Sequence, residues 1–150
     1  MAAGNLASGA AERRSLPLPR RAGREISQMY ELVFQTHFAA AHNLRGYQGS
    51  CERLHGHNWK VDVVLRAGKL DQLGMVIDFR DIKSAANGLL DSLDHRYLNE
   101  LDPFHEANPT TENVAKWIFD ELGKIIPAHI KIHKVTAWES DDCGAAYVSD

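Results

Sequence analysis

The sequence predicts an α+β fold in which one antiparallel sheet, built in the order β-β-α-α-β-β, has both helices on one face. Three observations support this prediction. Two long segments of alternating apolar residues come first, two segments with helical periodicity follow, and two short strand segments end the chain. The helical pair between the two hairpins can cover only one face of the sheet. At 150 residues, a single domain is expected.

The first two predicted strands span residues 30–42 and 57–67. In the first, the even-numbered residues share one face, because side chains alternate along a strand. In the second, one face carries Trp59, Val61, Val63 and Leu65. Residues 44–50 between the strands carry two glycines and are predicted to form a loop.

Two helices are predicted between the hairpins. Asp78 is the N-cap of the first, which extends to about Leu93, because a short carboxylate accepts hydrogen bonds from the first turn. The second helix has Thr110 as its N-cap and ends by Pro127. Residues 97–108 show no periodicity and are predicted to be irregular.

The last hairpin is predicted to consist of strands at residues 131–139 and 145–149 with a turn at 140–144. No helix remains to cover the second face of the sheet. Residues expected on that face, such as Trp59 or Trp138, would be exposed to solvent. A large exposed apolar face indicates contact with another molecule, so we expect an oligomer.

Residues 1–28 differ in composition from the rest of the chain. They contain five arginines and no aromatic residue, and they show no sustained periodicity. Such a segment buries too little apolar surface to offset the entropy lost on ordering, so we expect a disordered extension or leader. The folded domain is then expected to span residues 29–150, with Met29 as a natural start.

The overall composition argues against several classes of function. A net charge of −3 gives no reason to expect a nucleic-acid partner. No apolar run approaches the roughly 18 residues that a membrane helix needs, so no membrane contact is expected. Two cysteines, Cys51 and Cys143, are too few for a disulfide scaffold and suit a reducing compartment. We therefore expect a cytoplasmic protein, and interpret Cys143 as an ordinary thiol.

Three histidines and a cysteine lie within sixteen residues of one another. His55 and His57 are two apart at the start of a predicted strand, so both side chains point to the same face. His42 ends the preceding strand and can reach them if the two strands form a hairpin. Three neutral imidazoles suit zinc and leave one coordination position open. The pattern predicts a zinc site, and the alternative is a cluster of histidines that satisfy one another's hydrogen bonds.

Spacing alone leaves the roles of nearby residues open. Cys51 can be a fourth ligand in a closed structural zinc site or a base in a reaction. The Asp94-His95 pair can be a carboxylate that fixes an imidazole tautomer, or a histidine at a helix C-terminus. Glu139 can bind a ligand or lie at a solvated strand end. Thr110 caps a helix in either case.

Six motifs, in order along residues 30–149, carry a resemblance to a known family. They are Phe38-Ala39-Ala40-Ala41-His42, Cys51-x-x-Leu54-His55-Gly56-His57, Val76-Ile77-Asp78-Phe79, Leu93-Asp94-His95-Arg96-Tyr97-Leu98-Asn99, Asn108-Pro109-Thr110-Thr111-Glu112-Asn113 and Trp138-Glu139. In combination the chain resembles the 6-pyruvoyl-tetrahydropterin synthase / 6-carboxy-tetrahydropterin synthase family. The three-residue gap between Cys51 and His55 is similar to the 6-carboxy branch, which serves queuosine biosynthesis. The pyruvoyl branch usually has a longer gap.

The resemblance implies a fold and an assembly. The family has the tunnelling fold, in which the sheets of several monomers join into a barrel. Two trimers stack as a homohexamer, and the active sites lie between subunits. His42, His55 and His57 are implied to bind Zn²⁺.

The resemblance also implies roles for the remaining site residues. Cys51 is implied to be the proton acceptor, with His95 and Glu139 as charge-relay residues and Asp94 supporting His95. Glu139 is implied to hold the amino-pyrimidine edge of a pterin as well. Positions near that pocket are matched by Thr110, Thr111 and Glu112. No motif identifies the residues that bind the triphosphate, and the conceivable anion partners are Arg45, Lys60 and Lys83.

The implied activity is that of a zinc-dependent lyase. It converts 7,8-dihydroneopterin triphosphate to 6-carboxy-5,6,7,8-tetrahydropterin, acetaldehyde and triphosphate. The alternatives are a 6-pyruvoyl-tetrahydropterin synthase or an enzyme that cleaves the pterin side chain for folate synthesis. An alternative of another class is a non-enzymatic domain that binds zinc and a pterin.

Overall fold

A long antiparallel hairpin forms the centre of the sheet in the computed structural model, which describes residues 28–149. Strands β1 (Tyr30–His42) and β2 (His55–Ala67) pair along all 13 residues of each. β1 has the predicted bounds, whereas β2 begins two residues earlier than predicted. As a result, His55 lies within β2 and directly opposite His42 in the register.

Three shorter strands complete a five-stranded mixed sheet with the order β3-β1-β2-β4-β5. β4 (Lys131–Trp138) pairs antiparallel with β2, and β5 (Gly144–Val148) pairs antiparallel with β4. β3 (Arg96–Tyr97) pairs parallel with the end of β1. The prediction of four antiparallel strands is therefore incomplete: a fifth strand, β3, pairs in parallel, and its second residue, Tyr97, lies in the segment that was expected to be irregular. Two residues are too few to show an alternating pattern.

Both predicted helices are present and both predicted caps are confirmed. α1 (Phe79–Leu90) begins at Asp78, whose side chain accepts a backbone hydrogen bond of 2.8 Å from the first turn. α2 (Thr111–Gly123) begins at Thr110, which accepts a corresponding bond of 3.2 Å. α1 ends three residues before the predicted Leu93. No helix in the part of the chain that the structure describes is long and apolar enough to cross a membrane.

The hydrophobic core lies between the helices and one face of the sheet. Trp59 is fully buried there, and its ring stacks on Phe38 with centroids 5.8 Å apart. The expectation that Trp59 is exposed is wrong, because its position in β2 gives it the same face as the buried Val61. Trp138 lies half-buried on the other face, where its indole N–H donates to Asp62 at 2.8 Å.

The sheet is open, with β3 and β5 at its two edges, so one chain does not form a barrel. The barrel implied by the resemblance would need several copies, and it remains a prediction. Apart from Gln28, the segment predicted to be a disordered extension lies outside the described residues.

Candidate metal centre and adjoining cavity

Three imidazoles converge at the end of the central hairpin. His42 and His55 are directly opposite in the register, and His57 is two residues farther along β2 on the same face. One ring nitrogen from each lies within 4.8 Å of the other two. The ring centroids are 4.6 to 5.1 Å apart. The strand parity predicted from the sequence therefore does bring the three histidines together.

Backbone carbonyls set the orientation of two of these rings. Nδ1 of His42 lies 2.8 Å from the carbonyl oxygen of Pro109, and Nδ1 of His55 lies 2.7 Å from that of Arg53. A carbonyl only accepts hydrogen bonds, so each Nδ1 carries the proton and each Nε2 keeps its lone pair. Metal-binding histidines are held in this way, with the second nitrogen donating to an oxygen.

Two nitrogens in the cluster lack a hydrogen-bond partner. Nε2 of His42 and Nε2 of His57 are buried and unpaired within the part of the chain that the structure describes. A buried polar atom without a partner is costly, and a metal ion would satisfy both. Burial also lowers the pKa of His42 and of His57 below the usual value, which favours the neutral form that binds metal. The donor set therefore fits a metal ion.

Cys51 lies near this cluster but is not part of it. Among residues 28–149, the group of potential ligand atoms that meet within 4.8 Å consists of the three histidines alone. The thiol of Cys51 is free and partly exposed, in a short 3-10 turn at Ser50–Glu52. Three nitrogen ligands with an open position are typical of catalytic zinc sites, whereas structural sites have four protein ligands.

A cavity of about 340 Å³ adjoins the cluster and collects most of the predicted site residues. Its lining consists of His42, Leu44, Cys51, Thr110, Thr111, Glu112 and Glu139. Cys51, Glu139 and His42 thus border a single space. Its volume is in the range of small-molecule sites.

Glu139 is held where the end of β4 meets the start of α2. The hydroxyl of Thr111, the first residue of α2, donates to Oε2 of Glu139 at 2.8 Å. The backbone N–H of Glu139 donates to the carbonyl of Cys143 at 3.1 Å. The carboxylate therefore has a fixed position, and is not a freely solvated strand end.

Asp94 and His95 lie elsewhere on the sheet. Oδ1 of Asp94 accepts from the backbone of Ala39 at 2.8 Å, and Oδ2 lies 3.6 Å from Nε2 of His95. His95 has a left-handed backbone (φ 55°), and its side chain is 82% exposed. It borders a second cavity of about 500 Å³ beside β1 and β2. Since α1 ends at Leu90, His95 does not lie in the last helical turn.

Within one chain, the structure does not bring His95 into the cavity that Cys51 lines. Arg45 is also not a free anion partner, because its guanidinium donates to the carbonyls of Phe104 and Ala107 at 2.6 and 2.9 Å. The ammonium of Lys60 lies 4.9 Å from the centre of the Trp138 ring.

Sequence reasoning missed the residues that support the site. The carbonyls of Arg53 and Pro109 orient two imidazoles, but backbone groups have no signature in a sequence. A polar network of Asn43, Tyr97 and Asn99 also lies beside the cluster. Two signals for this network are present in the sequence: Asn43 directly follows His42, and Tyr97 and Asn99 lie within the motif that starts at Leu93.

Comparison with known proteins gives a consistent assignment. A family model described as 6-pyruvoyl tetrahydropterin synthase matches residues 31–150. The chain is 34% identical over 113 residues to a dihydroneopterin monophosphate aldolase of Pyrococcus furiosus, covering 75% of this chain and 92% of the relative. It is 35% identical over 127 residues to a 6-carboxy-5,6,7,8-tetrahydropterin synthase of Synechocystis, covering 81% and 95%.

A solved structure agrees with these relatives. The 6-pyruvoyl tetrahydropterin synthase of Caenorhabditis elegans superimposes with a TM-score of 0.72 at 29% identity. The match covers 82% of this chain and 97% of that one. The family model, the relatives and the fold agree over most of the described residues, and the chain belongs to the 6-pyruvoyl tetrahydropterin synthase family.

Proposed function

We propose that this protein is a zinc-dependent lyase that converts 7,8-dihydroneopterin triphosphate and water to 6-carboxy-5,6,7,8-tetrahydropterin, acetaldehyde and triphosphate. The observation that carries the proposal is the cavity in which Cys51 and Glu139 border the same space as His42. A thiol that is free of the ligand cluster is available as a base. The three-residue gap from Cys51 to His55 and the Synechocystis relative favour the 6-carboxy product.

The metal would be held by His42, His55 and His57, whose ring nitrogens meet within 4.8 Å. Bound there, Zn²⁺ would supply Lewis acidity to the hydroxyl oxygens of the substrate side chain, which makes the neighbouring C–H bonds more acidic. Neutral imidazoles are the preferred form for this ligand set, and burial favours that form.

The cavity residues would bind the pterin and move its protons. Cys51 would accept a proton from the side chain as the thiolate, which is the form of a thiol that acts as a base. Glu139 would accept hydrogen bonds from the 2-amino-4-oxo ring, and these are strengthened by its charge. Thr111 holds one oxygen of Glu139 in place, and Thr110 and Glu112 line the same cavity.

His95 and Asp94 would act in the cavity of a second subunit. Their separation from Cys51 in one chain and the 82% exposure of His95 support this assignment. Asp94 is fixed to β1 through Ala39, so it can orient His95 toward a partner surface. A homohexamer built as a dimer of trimers, as the resemblance implies, would supply that partner.

A second candidate function is the aldol cleavage of 7,8-dihydroneopterin monophosphate. The Pyrococcus furiosus relative carries that name, and the match covers 92% of its length. The same cavity residues would serve this reaction, because it also begins by moving a proton on the hydroxylated side chain. Both candidates break the bond between the first and second carbons of the side chain, but they differ in phosphate number, and only the 6-carboxy reaction also releases the phosphate group.

Product analysis distinguishes these functions. Purified protein loaded with Zn²⁺ is incubated separately with the triphosphate and the monophosphate, and the products are identified by mass spectrometry. A carboxy-pterin with acetaldehyde supports the proposal. A hydroxymethyl-pterin supports the aldolase, and a pyruvoyl-pterin supports a 6-pyruvoyl-tetrahydropterin synthase. No turnover of either substrate would favour a non-enzymatic zinc domain.

Three further expectations remain predictions. They are a role in queuosine biosynthesis, a cytoplasmic location, and a domain limited to residues 29–150 with residues 1–28 as an extension or leader.

A further inference from the structure

Asn43 links β1, which carries His42 of the three-histidine cluster, to the turn that carries Cys51. It directly follows His42, the last residue of β1. The turn at Ser50–Glu52 lies across the same loop, and no side chain caps its start. The position of Cys51 therefore depends on contacts from outside its own turn.

The backbone of Asn43 is clamped by a buried amide. Its N–H donates to Oδ1 of Asn99 at 3.0 Å, and its carbonyl accepts from Nδ2 of Asn99 at 2.9 Å. Asn99 is only 6% exposed. These two bonds continue the hydrogen bonding of β1 for one residue past His42, and they fix the direction in which the Asn43 side chain leaves the strand.

The side chain of Asn43 makes two further bonds. Nδ2 donates to the carbonyl of Glu52 at 3.0 Å, and Oδ1 accepts from the hydroxyl of Tyr97 at 2.5 Å. The carbonyl of Glu52 only accepts, so the amide nitrogen must face it and the amide oxygen must face Tyr97. Tyr97 therefore donates, and the orientation of the amide is determined from both sides.

The next residue adds a second attachment to the same turn. The N–H of Leu44 donates to the carbonyl of Cys51 at 2.8 Å. The carbonyls of Cys51 and Glu52 are thus both held by the two residues that follow His42. The segment His42–Leu44 therefore begins with one imidazole of the histidine cluster, and its next two residues hold the turn that carries the thiol.

We propose that Asn43 is a positioning residue that sets where the Cys51 thiol lies relative to the three histidines, and that Tyr97 and Asn99 hold Asn43 in place. This inference rests on the proposed function of Cys51 as the proton acceptor. A displacement of about 1 Å in a reacting group can cost on the order of 100-fold in rate. A restraint on the turn would therefore matter for turnover even if the fold and the metal were unaffected.

Two conservative variants test the proposal. Asn43→Asp keeps the size of the side chain and the acceptor for Tyr97, but places an oxygen opposite the Glu52 carbonyl. Tyr97→Phe removes only the hydroxyl, and it serves if the first variant does not fold. Both are made with Cys143→Ser, because Cys143 is exposed and would react with thiol reagents.

Asn87→Ala is the matched control. Asn87 also uses its amide in a partly buried bond, accepting from Thr36 at 2.7 Å, but it lies on α1 away from the Cys51 turn. Three quantities are measured on each protein after loading with Zn²⁺. They are the metal content, the rate at which iodoacetamide alkylates Cys51, and kcat and KM for the triphosphate substrate.

We expect the metal content to stay the same and the reactivity of the Cys51 thiol to change. In Asn43→Asp, the alkylation rate should change by about threefold or more and kcat should fall about tenfold, while KM stays within about twofold. Tyr97→Phe should show a smaller change in the same direction, and Asn87→Ala should match the background protein.

Two results would overturn the proposal. One is an alkylation rate in both variants equal to that of the background protein. The other is a loss of metal in parallel with turnover, which would mean that Asn43 supports His42 instead. If the background protein turns over neither pterin substrate, the proposed function fails. The alkylation rates still decide the positioning role in that case, because they require no substrate.

Discussion

The two groups of residues assigned to the proposed active site differ in how the chain holds them. His42 is 2% exposed at the end of a hairpin whose two strands have 13 residues each, and backbone carbonyls fix the rings of His42 and His55. The side chain of His95 is 82% exposed and lies 3.6 Å from Asp94, and its backbone N–H donates to the carbonyl of Ala39 in β1 at 2.6 Å. One chain therefore preorganises the metal-binding group, while it presents the His95 group to its surroundings.

This difference indicates where a partner would act. A metal ion would satisfy the unpaired nitrogens of the buried imidazole cluster, and one chain supplies all three of its ligand atoms. An exposed imidazole separated from the cavity of Cys51 needs a neighbouring molecule to take part in the same reaction. Removal of a metal ligand or of Cys51 tests the first group, mixing of two variants tests the separation of His95, and Thr111→Val tests a single contact within the cavity.

The largest effect is expected from removing a metal ligand. His57→Ala should reduce bound zinc to well below one ion per chain and lower turnover by more than about 100-fold, because loss of an outer partner of a ligand alone costs 10- to 100-fold. Elemental analysis and steady-state kinetics measure the two quantities. His37→Ala is the control, since His37 is an exposed residue of β1 on the opposite face. Full metal content in His57→Ala would contradict the assignment.

Cys51→Ala should separate turnover from metal binding. The loss of a general base lowers the rate by about 10²- to 10⁴-fold, whereas the three histidines keep their metal. Turnover and metal stoichiometry are measured on the same samples. Cys143→Ala should match wild type, because Cys143 is exposed in the turn before β5. A parallel loss of metal from Cys51→Ala would instead make the thiol a fourth ligand.

Mixing two inactive variants tests whether His95 acts across subunits. Cys51→Ala and His95→Ala are denatured together at equal amounts and refolded. If each site takes Cys51 from one subunit and His95 from another, about one quarter of the sites regain both residues by random assembly. Turnover near a quarter of the wild-type value is expected. Activity no higher than that of the separate variants would place both residues in one chain.

The long elements of the fold could be predicted from the sequence because they repeat a pattern many times. β1 alternates over 13 residues, and its predicted bounds are confirmed. The same parity placed His55 and His57 on one face. Strand β3 could not be predicted, because two residues carry no period and its parallel pairing depends on where the chain lies after α1.

Errors at the site have a common cause. The expectation that Trp59 is exposed overlooked that its face of β2 is the one that the helices cover. The location of His95 depends on a single left-handed residue, which no periodicity reveals. The carbonyl of Pro109, which orients His42, contributes through its backbone and not through its side chain. Motifs predicted the candidate reactive groups, whereas the contacts that orient them arise from tertiary structure.

The smallest effect concerns Thr111, which donates to Oε2 of Glu139 at 2.8 Å. Thr111→Val keeps the shape of the side chain but removes this bond, which is worth about 1 kcal/mol, or roughly fivefold. The carboxylate is proposed to hold the pterin ring, which does not react, so the loss should raise KM about fivefold and leave kcat within about twofold. Thr111→Ser should restore wild-type kinetics. An unchanged KM in Thr111→Val would mean that Glu139 does not depend on this hydroxyl for its position.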